Sequence, residues 1–473
     1  MNALSVSNLS FRYYKNGKRN IVDNLSLSVE AGSVTVILGK SGCGKSTFAA
    51  LAAGLYPENG GFLSSGEIEI FGNSIKSMSH KDRAKYLSIM FQNPDLQFCM
   101  DTLRKEIIFC LENIAVPPDK MDDIIIKVSS HLGMSKLLDR KLSSLSGGEK
   151  QKASLCCLTA INSKCIILDE ALANIDNDSA KKIITILAEY KNSGGTVIAV
   201  EHRPELWRDI ADRYVVMGEG CKILEENISS SDFENFRDIL AANGIYGTYT
   251  GKNTSHCENS ENAISIQNFS FKYDNENKYL LKNACADFKK SRITAILGKS
   301  GIGKTTTFLC ILKQHKFDGT IEIFGENIDD IRENDLFKDV GIVFQNPENQ
   351  FVTQKVEDEI KASIKNPEFL SATKLLEEYN LKQFAQYSPY MLSQGQQRRL
   401  AVFSMIAGNQ KILLLDEPTY GQDLQSTENI MRLLNNKVEQ DGLTVIFITH
   451  DEELADKWAD DIFKIEDGKF IKC

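Results

Sequence analysis

The chain has 473 residues, 42% of them hydrophobic and 25% charged, which is enough for two or more domains with ordinary globular cores. Its net charge of −9 argues against a nucleic-acid surface. The 11 cysteines form no paired framework, which suits reduced cytosolic thiols, and the sequence is expected to carry neither a secretory leader nor an apolar run long enough to cross a membrane.

In chain order, "LSFRYY" (Leu9–Tyr14) comes first, and then "SVTVILG" reads as an apolar strand. It runs into "GKSGCGKST" (Gly39–Thr47), and the following "KSTFAALAAGLY" reads as a helix. A G-x-x-x-x-G-K-S/T turn between strand and helix is a phosphate loop. Its glycines let backbone N–H groups curl around phosphate oxygens, and the helix N-terminus adds partial positive charge. Gly39, Lys40, Ser41, Gly42, Cys43, Gly44, Lys45, Ser46 and Thr47 are therefore expected to hold a nucleotide. Lys45 should reach the β- and γ-phosphates, and Ser46 should coordinate Mg²⁺.

Next, "FQNPDLQF" (Phe91–Phe98) sets Gln92 beside an Asn-Pro turn. "LSGGEKQK" (Leu145–Lys152) follows, and then the apolar "IILDE" (Ile166–Glu170). A strand-end Asp169 can hold Mg²⁺ through water, and the adjacent Glu170 can polarise an attacking water as general base. "TVIAVEH" closes a further strand on His202, where a γ-phosphate contact is expected. "NISSSDFENFRDILAANG" predicts one short helix, capped by Ser231 with Glu234 and ended by Gly244. Phe233, Phe236, Ile239 and Leu240 would share its apolar face. "TYTGKNTSHCENSEN" is polar and reads as a linker.

The motifs then return: "FSFKYD" (Phe269–Asp274), "GKSGIGKTT" (Gly298–Thr306), "FQNPENQF" (Phe344–Phe351), "LSQGQQRR" (Leu392–Arg399), "LLLDE" (Leu413–Glu417) and "TVIFITH", ending on His450. Such spacing marks a duplicated domain rather than a solenoid of short units. The expected organisation is α/β, two tandem P-loop NTPase domains over residues 1–225 and 263–473, joined by the short helix and polar linker at 226–262. In the second domain Gly298, Lys299, Ser300, Gly301, Ile302, Gly303, Lys304, Thr305 and Thr306 form the loop, with Thr305 and Asp416 for Mg²⁺ and Glu417 as base. Of six histidines, only His202 and His450 occupy equivalent places.

Twice over, and across nearly the whole chain, these motifs resemble the nucleotide-binding subunits of ATP-binding cassette (ABC) transporters. "LSGGE" and "LSQGQ" match that family's signature. The resemblance implies a mixed-sheet core with a helical subdomain in each cassette, and two cassettes that pair head to tail within one chain. ATP and Mg²⁺ would bind between one P-loop and the other domain's signature. Ser146, Gly147, Gly148 and Glu149 would then face the nucleotide on Lys304, and Ser393, Gln394, Gly395 and Gln396 the one on Lys45. Tyr13 and Tyr273 match the adenine-stacking aromatic, Asp176 and Asp423 the D-loop aspartate. Gln92 and Gln345 match the Q-loop glutamine, which senses Mg²⁺ and the γ-phosphate beside a membrane partner.

"QNPDLQF", "EIIFCLENIAVP" (Glu106–Pro117) and "EHRPELW" are similar to the ATPases of energy-coupling factor (ECF) importers. That likeness implies a transmembrane coupling protein, a separate membrane substrate-binding protein, a vitamin or transition-metal cargo, and a peripheral place on the cytoplasmic face of the membrane. Asp95, Glu106, Glu348 and Glu359 are expected to line a groove for basic residues of the coupling protein.

Two departures fall on one composite site. "DEALANID" puts Ala171 and Leu172 where the second half keeps "DEPT", and Gln394 stands where the signature usually has Gly. The site of Lys45 and Glu170 is therefore expected to hydrolyse more slowly than that of Lys304 and Glu417. Three other readings share parts of the pattern. A tandem cassette acting on ribosomes usually carries a long charged helical linker. A sugar-importer pair usually has one degraded site, whereas Lys304, Asp416, Glu417 and His450 are all present. A DNA-repair ATPase needs a coiled coil between P-loop and signature.

Overall fold

The computed structural model describes residues 1–17, 19–172, 177–228, 233–245, 247–252, 261–273, 279–299, 301–364, 371–419 and 421–473, without the side chains of 177, 178, 227, 233–235 and 394. It divides into two compact units, Met1–Gly247 and Thr248–Cys473.

The first unit is built on a six-stranded sheet ordered Ile223–Ile228, Arg213–Met217, Val34–Gly39, Thr196–Val200, Cys165–Asp169 and Leu87–Met90. All of its pairings are parallel except that of the antiparallel edge strand Ile223–Ile228. Val34–Gly39, Cys165–Asp169 and Thr196–Val200 are buried at every position. Parallel strands covered on both faces need apolar residues throughout, which is why they read as unbroken apolar runs. A four-stranded antiparallel sheet of Val22–Glu30, Asn2–Arg12, Phe62–Ile70 and Asn73–Ser74 encloses a core with the P-loop helix Lys45–Ala52, including Leu4, Phe11, Ile37 and Phe48. On the other face of the parallel sheet, Leu103–Asn113, Pro118–His131 and Gly147–Ile161 pack as a helical layer. Parallel order puts the strands' C-terminal ends on one edge, and Lys45, Gln92, Glu170 and His202 all follow such ends.

The second unit repeats the plan. Its six-stranded sheet runs Val340–Val343, Ile412–Asp416, Thr444–Ile448, Ile293–Leu297, Asp461–Glu466 and Lys469–Lys472. Its antiparallel sheet runs Leu281–Lys289, Asn262–Phe271, Asp318–Ile323 and Glu326–Asn327.

A helix spans Phe233–Ala242. Phe236 and Leu240 are buried in the first unit's core, Ile239 packs against it, and the Phe236 ring lies 5.0 Å from that of Tyr214. Gly244, at φ 63°, supplies the left-handed residue that ends the helix. The expected Ser231 cap and the side chains of Phe233 and Glu234 lie outside the described residues. Residues 248–252, expected within the linker, are instead tied to the second unit. Tyr249 Oη donates to Asp451 Oδ2 (2.7 Å), Thr250 N donates to Glu428 Oε1 (2.7 Å), and the Lys252 ammonium pairs with the buried Asp460. Phe236→Ala should lower the first unit's stability by about 3 kcal/mol through the cavity it leaves, read as an earlier denaturant midpoint for that unit.

Candidate functional site

Each P-loop closes around its own lysine. A Cβ at Gly39 would come within 2.4 Å of the Met217 carbonyl oxygen, so only glycine fits where the strand turns. Gly44, at φ 111°, begins the helix in a conformation that side chains avoid. The buried Lys45 Nζ donates to the carbonyls of Gly39 (2.7 Å) and Lys40 (3.1 Å). Lys304 Nζ does the same to Gly298 (2.6 Å) and Lys299 (3.0 Å), and stands 3.4 Å from His450 Nε2. Both ammoniums are thus held at the mouth of the loop. Ser300 lies outside the described residues.

A hydroxyl from each P-loop helix reaches the acidic strand end. Ser46 Oγ donates to Asp169 Oδ1 (3.0 Å) and Thr305 Oγ1 to Asp416 Oδ2 (2.7 Å). Burial, reinforced by the charge of Glu170, pushes the Asp169 carboxyl up to about 7, and burial with Glu417 pushes Asp416 up to about 6. A buried carboxylate whose charge is disfavoured by burial and by a neighbouring glutamate, beside a helix-start hydroxyl, fits a hard divalent cation such as Mg²⁺.

Glu170 is held from both sides, and Glu417 by its histidine. The Gln92 amide donates to Glu170 Oε2, and His202 Nε2 lies 2.8 Å from Glu170 Oε1. His450 Nε2 lies 2.9 Å from Glu417 Oε1. Burial raises the Glu417 carboxyl, but the hydrogen bond and charge of His450, with Lys304 and Arg398, outweigh it and leave it below the usual range. Both glutamates adopt left-handed backbone, φ 49° and 51°, which non-glycine residues rarely do. Their N–H groups are anchored on the neighbouring strand, at Val200 O (2.8 Å) and Ile448 O (3.1 Å). Strain held in place by such anchors is characteristic of functional sites.

The signature segments are helix N-termini. Ser146 and Ser393 are N-caps with complete capping boxes, the partners being Glu149 and Gln396. Gly147 and Gly148 leave that first turn bare, and a Cβ on Gly395 would meet Gln422 Nε2 at 2.9 Å. The Gln394 side chain lies outside the described residues, as does Asp176. Asp423 caps the helix Leu424–Asp441 by accepting from Ser426 N (2.7 Å). Tyr13 and Tyr273 are each 43% exposed, with their hydroxyls 2.7 Å and 3.3 Å from Thr47 Oγ1 and Thr306 Oγ1.

Of the four acids expected in a partner groove, two turn inward. Glu106 is buried and accepts from the backbone N–H groups of Cys99 (2.9 Å) and Met100 (2.7 Å). Glu359 is buried likewise, accepting from Thr353 N (2.9 Å), Thr353 Oγ1 (2.8 Å) and Val352 N (3.2 Å). These carboxylates brace the segment that follows each Q-loop and are not presented to a partner, which corrects the sequence expectation. Asp95 pairs with Lys150 of the signature helix (2.7 Å), and Glu348 accepts from Gln397 Nε2 (3.4 Å).

Two residues were missed. Glu201, next to His202, is fully buried with its Oε1 lacking a partner, and burial, then the charge of Glu170, pushes it up to about 8. Its only sequence signal is an acid closing an apolar strand. Arg398, on the second signature helix, is buried and donates to the main-chain carbonyls of Gln345 (2.6 Å) and Glu417.

Two phosphate loops, each facing an acidic strand end and a histidine, define a tandem P-loop nucleotide hydrolase. The ABC transporter family model matches residues 22–173 and 281–420, and the chain belongs to that family, whose members hydrolyse ATP. It is 30% identical to a Bacillus subtilis (strain 168) protein, YkoD, named for HMP/thiamine import ATP binding, over 98% of this chain and 90% of the relative. It is also 30% identical to a Saccharolobus solfataricus protein named as an ABC transporter ATP-binding protein, over 100% and 93%. An archaeal ribosome recycling factor, aABCE1, solved with the ribosomal stalk protein aP1, shares the fold at TM-score 0.63 and 19% identity, over 98% of this chain and 89% of that one.

Glu201 binds its proton more tightly folded than unfolded, so stability should fall as pH rises from about 4.5 through about 8. Glu201→Gln removes that penalty. Without nucleotide, its thermal midpoint should match wild type at about pH 4 and exceed it, by an amount equivalent to several kcal/mol, above about pH 8.

Proposed function

We propose that the chain is the energising subunit of an ECF-type importer, in which ATP hydrolysis drives uptake of a small solute, a vitamin or a transition-metal cation, through a transmembrane coupling protein and a membrane substrate-binding protein. One observation carries this reading: the Gln92 amide is bonded to the Glu170 carboxylate, while the turn that follows it leaves Leu96 71% exposed. Beside the second Q-loop Val352 is 82% exposed, and Tyr390, 54% exposed, donates to the Phe351 carbonyl. Apolar side chains presented at both Q-loops suit docking by a membrane protein's cytoplasmic helices. The full-length likeness to a relative named for HMP/thiamine import favours a vitamin-type cargo. Among the described residues no helix is long and apolar enough to cross a membrane, so the bilayer would be reached through partners at its cytoplasmic face.

In this reading the two cassettes pair within one chain, with Ser146 and Gly148 closing on the nucleotide of Lys304 and Ser393 and Gly395 on that of Lys45. Tyr13 and Tyr273 stack on adenine, and Asp176 and Asp423 line the interface. Ser46, Gln92 and Asp169, or Thr305, Gln345 and Asp416, would hold Mg²⁺. The cation, when bound, neutralises charge on the β- and γ-phosphates. Lys45 and Lys304 draw the γ-phosphate in, Glu170 and Glu417 polarise the attacking water, and His202 and His450 orient those glutamates.

Purified from membranes solubilised in mild detergent, the tagged chain should bring down integral membrane proteins; co-sedimentation with ribosomes instead would favour a ribosome-associated cassette. Neutralising Asp95 and Glu348 together should weaken that membrane assembly, and an undiminished yield of partner would remove them from the interface. At steady state Glu417→Gln should cost about tenfold or more in ATP turnover and Glu170→Gln clearly less, whereas equal losses would rule out unequal sites.

A further inference from the structure

The two halves differ at one buried position on the signature helix. Arg398 lies one turn into the helix Gln394–Ala407 and is 4% exposed. Its guanidinium spans two loops that carry chemistry, with Nη2 donating to the carbonyl of Gln345 (2.6 Å) and Nη1 to the carbonyl of Glu417. A planar guanidinium presents several donors in a fixed fork, so two carbonyls bonded to it are held at a set separation. The residue in the equivalent place of the first half is Gln151. It is fully buried, and neither Oε1 nor Nε2 has a hydrogen-bond partner. In that half the side chain of the Q-loop, Gln92, bonds to the Glu170 carboxylate.

We propose that Arg398 is a positioning residue that clamps the Q-loop and the general base of the second cassette to its own signature helix, so that the Glu417 site is set for hydrolysis by the protein itself. Gln151 gives the first cassette no such pair of donors; there the signature helix reaches its Q-loop through Lys150 and Asp95, and Glu170 is held by His202 and by Gln92, whose loop lies beside the proposed docking surface. The second site would then turn over without a membrane partner, and the first would gain from one. This rests on ATP hydrolysis at Glu417 and not on the nature of the cargo, so failure of the importer reading leaves it intact.

The experiment uses the full chain without membrane partners. With Glu170→Gln silencing the first site, Arg398→Gln should lower kcat for ATP by about tenfold or more while KM stays within about twofold. Arg398→Lys, which keeps the cation and its donors, should recover part of that loss. Hydrogen exchange should quicken at the amides of 345–350 in Arg398→Gln. In the reciprocal background, Glu417→Gln with Gln151→Arg should raise turnover at the first site. An unchanged kcat in Arg398→Gln overturns the proposal. So does a loss in which KM rises in step, the whole chain melts earlier and Lys restores nothing, because that outcome assigns Arg398 to general packing. If Arg398→Gln does not fold, Arg398→Lys alone decides: a kcat between wild type and a tenfold loss at constant KM supports the clamp, and wild-type kcat overturns it.

Discussion

A hydroxyl at the start of one helix, hydrogen-bonded to an aspartate at the end of a strand, sets the dimensions on which the rest of each site depends. Ser46 with Asp169 and Thr305 with Asp416 join the P-loop to the strand that carries the base. Because both aspartates are buried beside a second carboxylate, they are poised to receive positive charge. That need is met from one side by the loop lysine and fits a divalent cation on the other. The next residue in each half, Glu170 or Glu417, then turns through left-handed backbone toward its histidine.

The parallel sheet makes this arrangement repeatable. Strands buried on both faces have little freedom of register, since a one-residue slip would bury their neighbours' polar ends. The loops at their C-terminal ends therefore start from the same positions in both units, and a duplicated sequence yields duplicated geometry. The differences between the sites arise where the helical layer meets the sheet, at Gln151 against Arg398 and at Lys150 with Asp95 against Gln397 with Glu348. Beside the sequence departures at Ala171, Leu172 and Gln394, the halves differ in how each signature helix grips its own Q-loop, while the phosphate loops are closely alike.

Much of the site was legible because its motifs carry their own mechanics. A Gly-rich turn between an apolar strand and a helix has few other uses, and "LSGGE" is also an S-x-x-E capping box, so the helix start could be read twice over. The partner groove was less legible. Glu106 and Glu359 sit at matching positions, yet whether an acid faces solvent or turns inward to backbone N–H groups depends on the path of the segment after the Q-loop. Matching spacing in two halves signals a shared role without saying whether that role is internal or external.

The sequence by itself determined the duplication, the α/β class and the paired phosphate-loop and strand-end acid motifs, because these follow from local periodicity and short-range spacing. Only the tertiary structure decided which polar groups are buried and what they meet. It buried Glu201 beside Glu170, showed Tyr249, Thr250 and Lys252 bound to the second unit, and brought Arg398 between two loops distant in sequence. Hydrogen-bond partners that lie far along the chain come from packing elements against one another, and no local pattern encodes them.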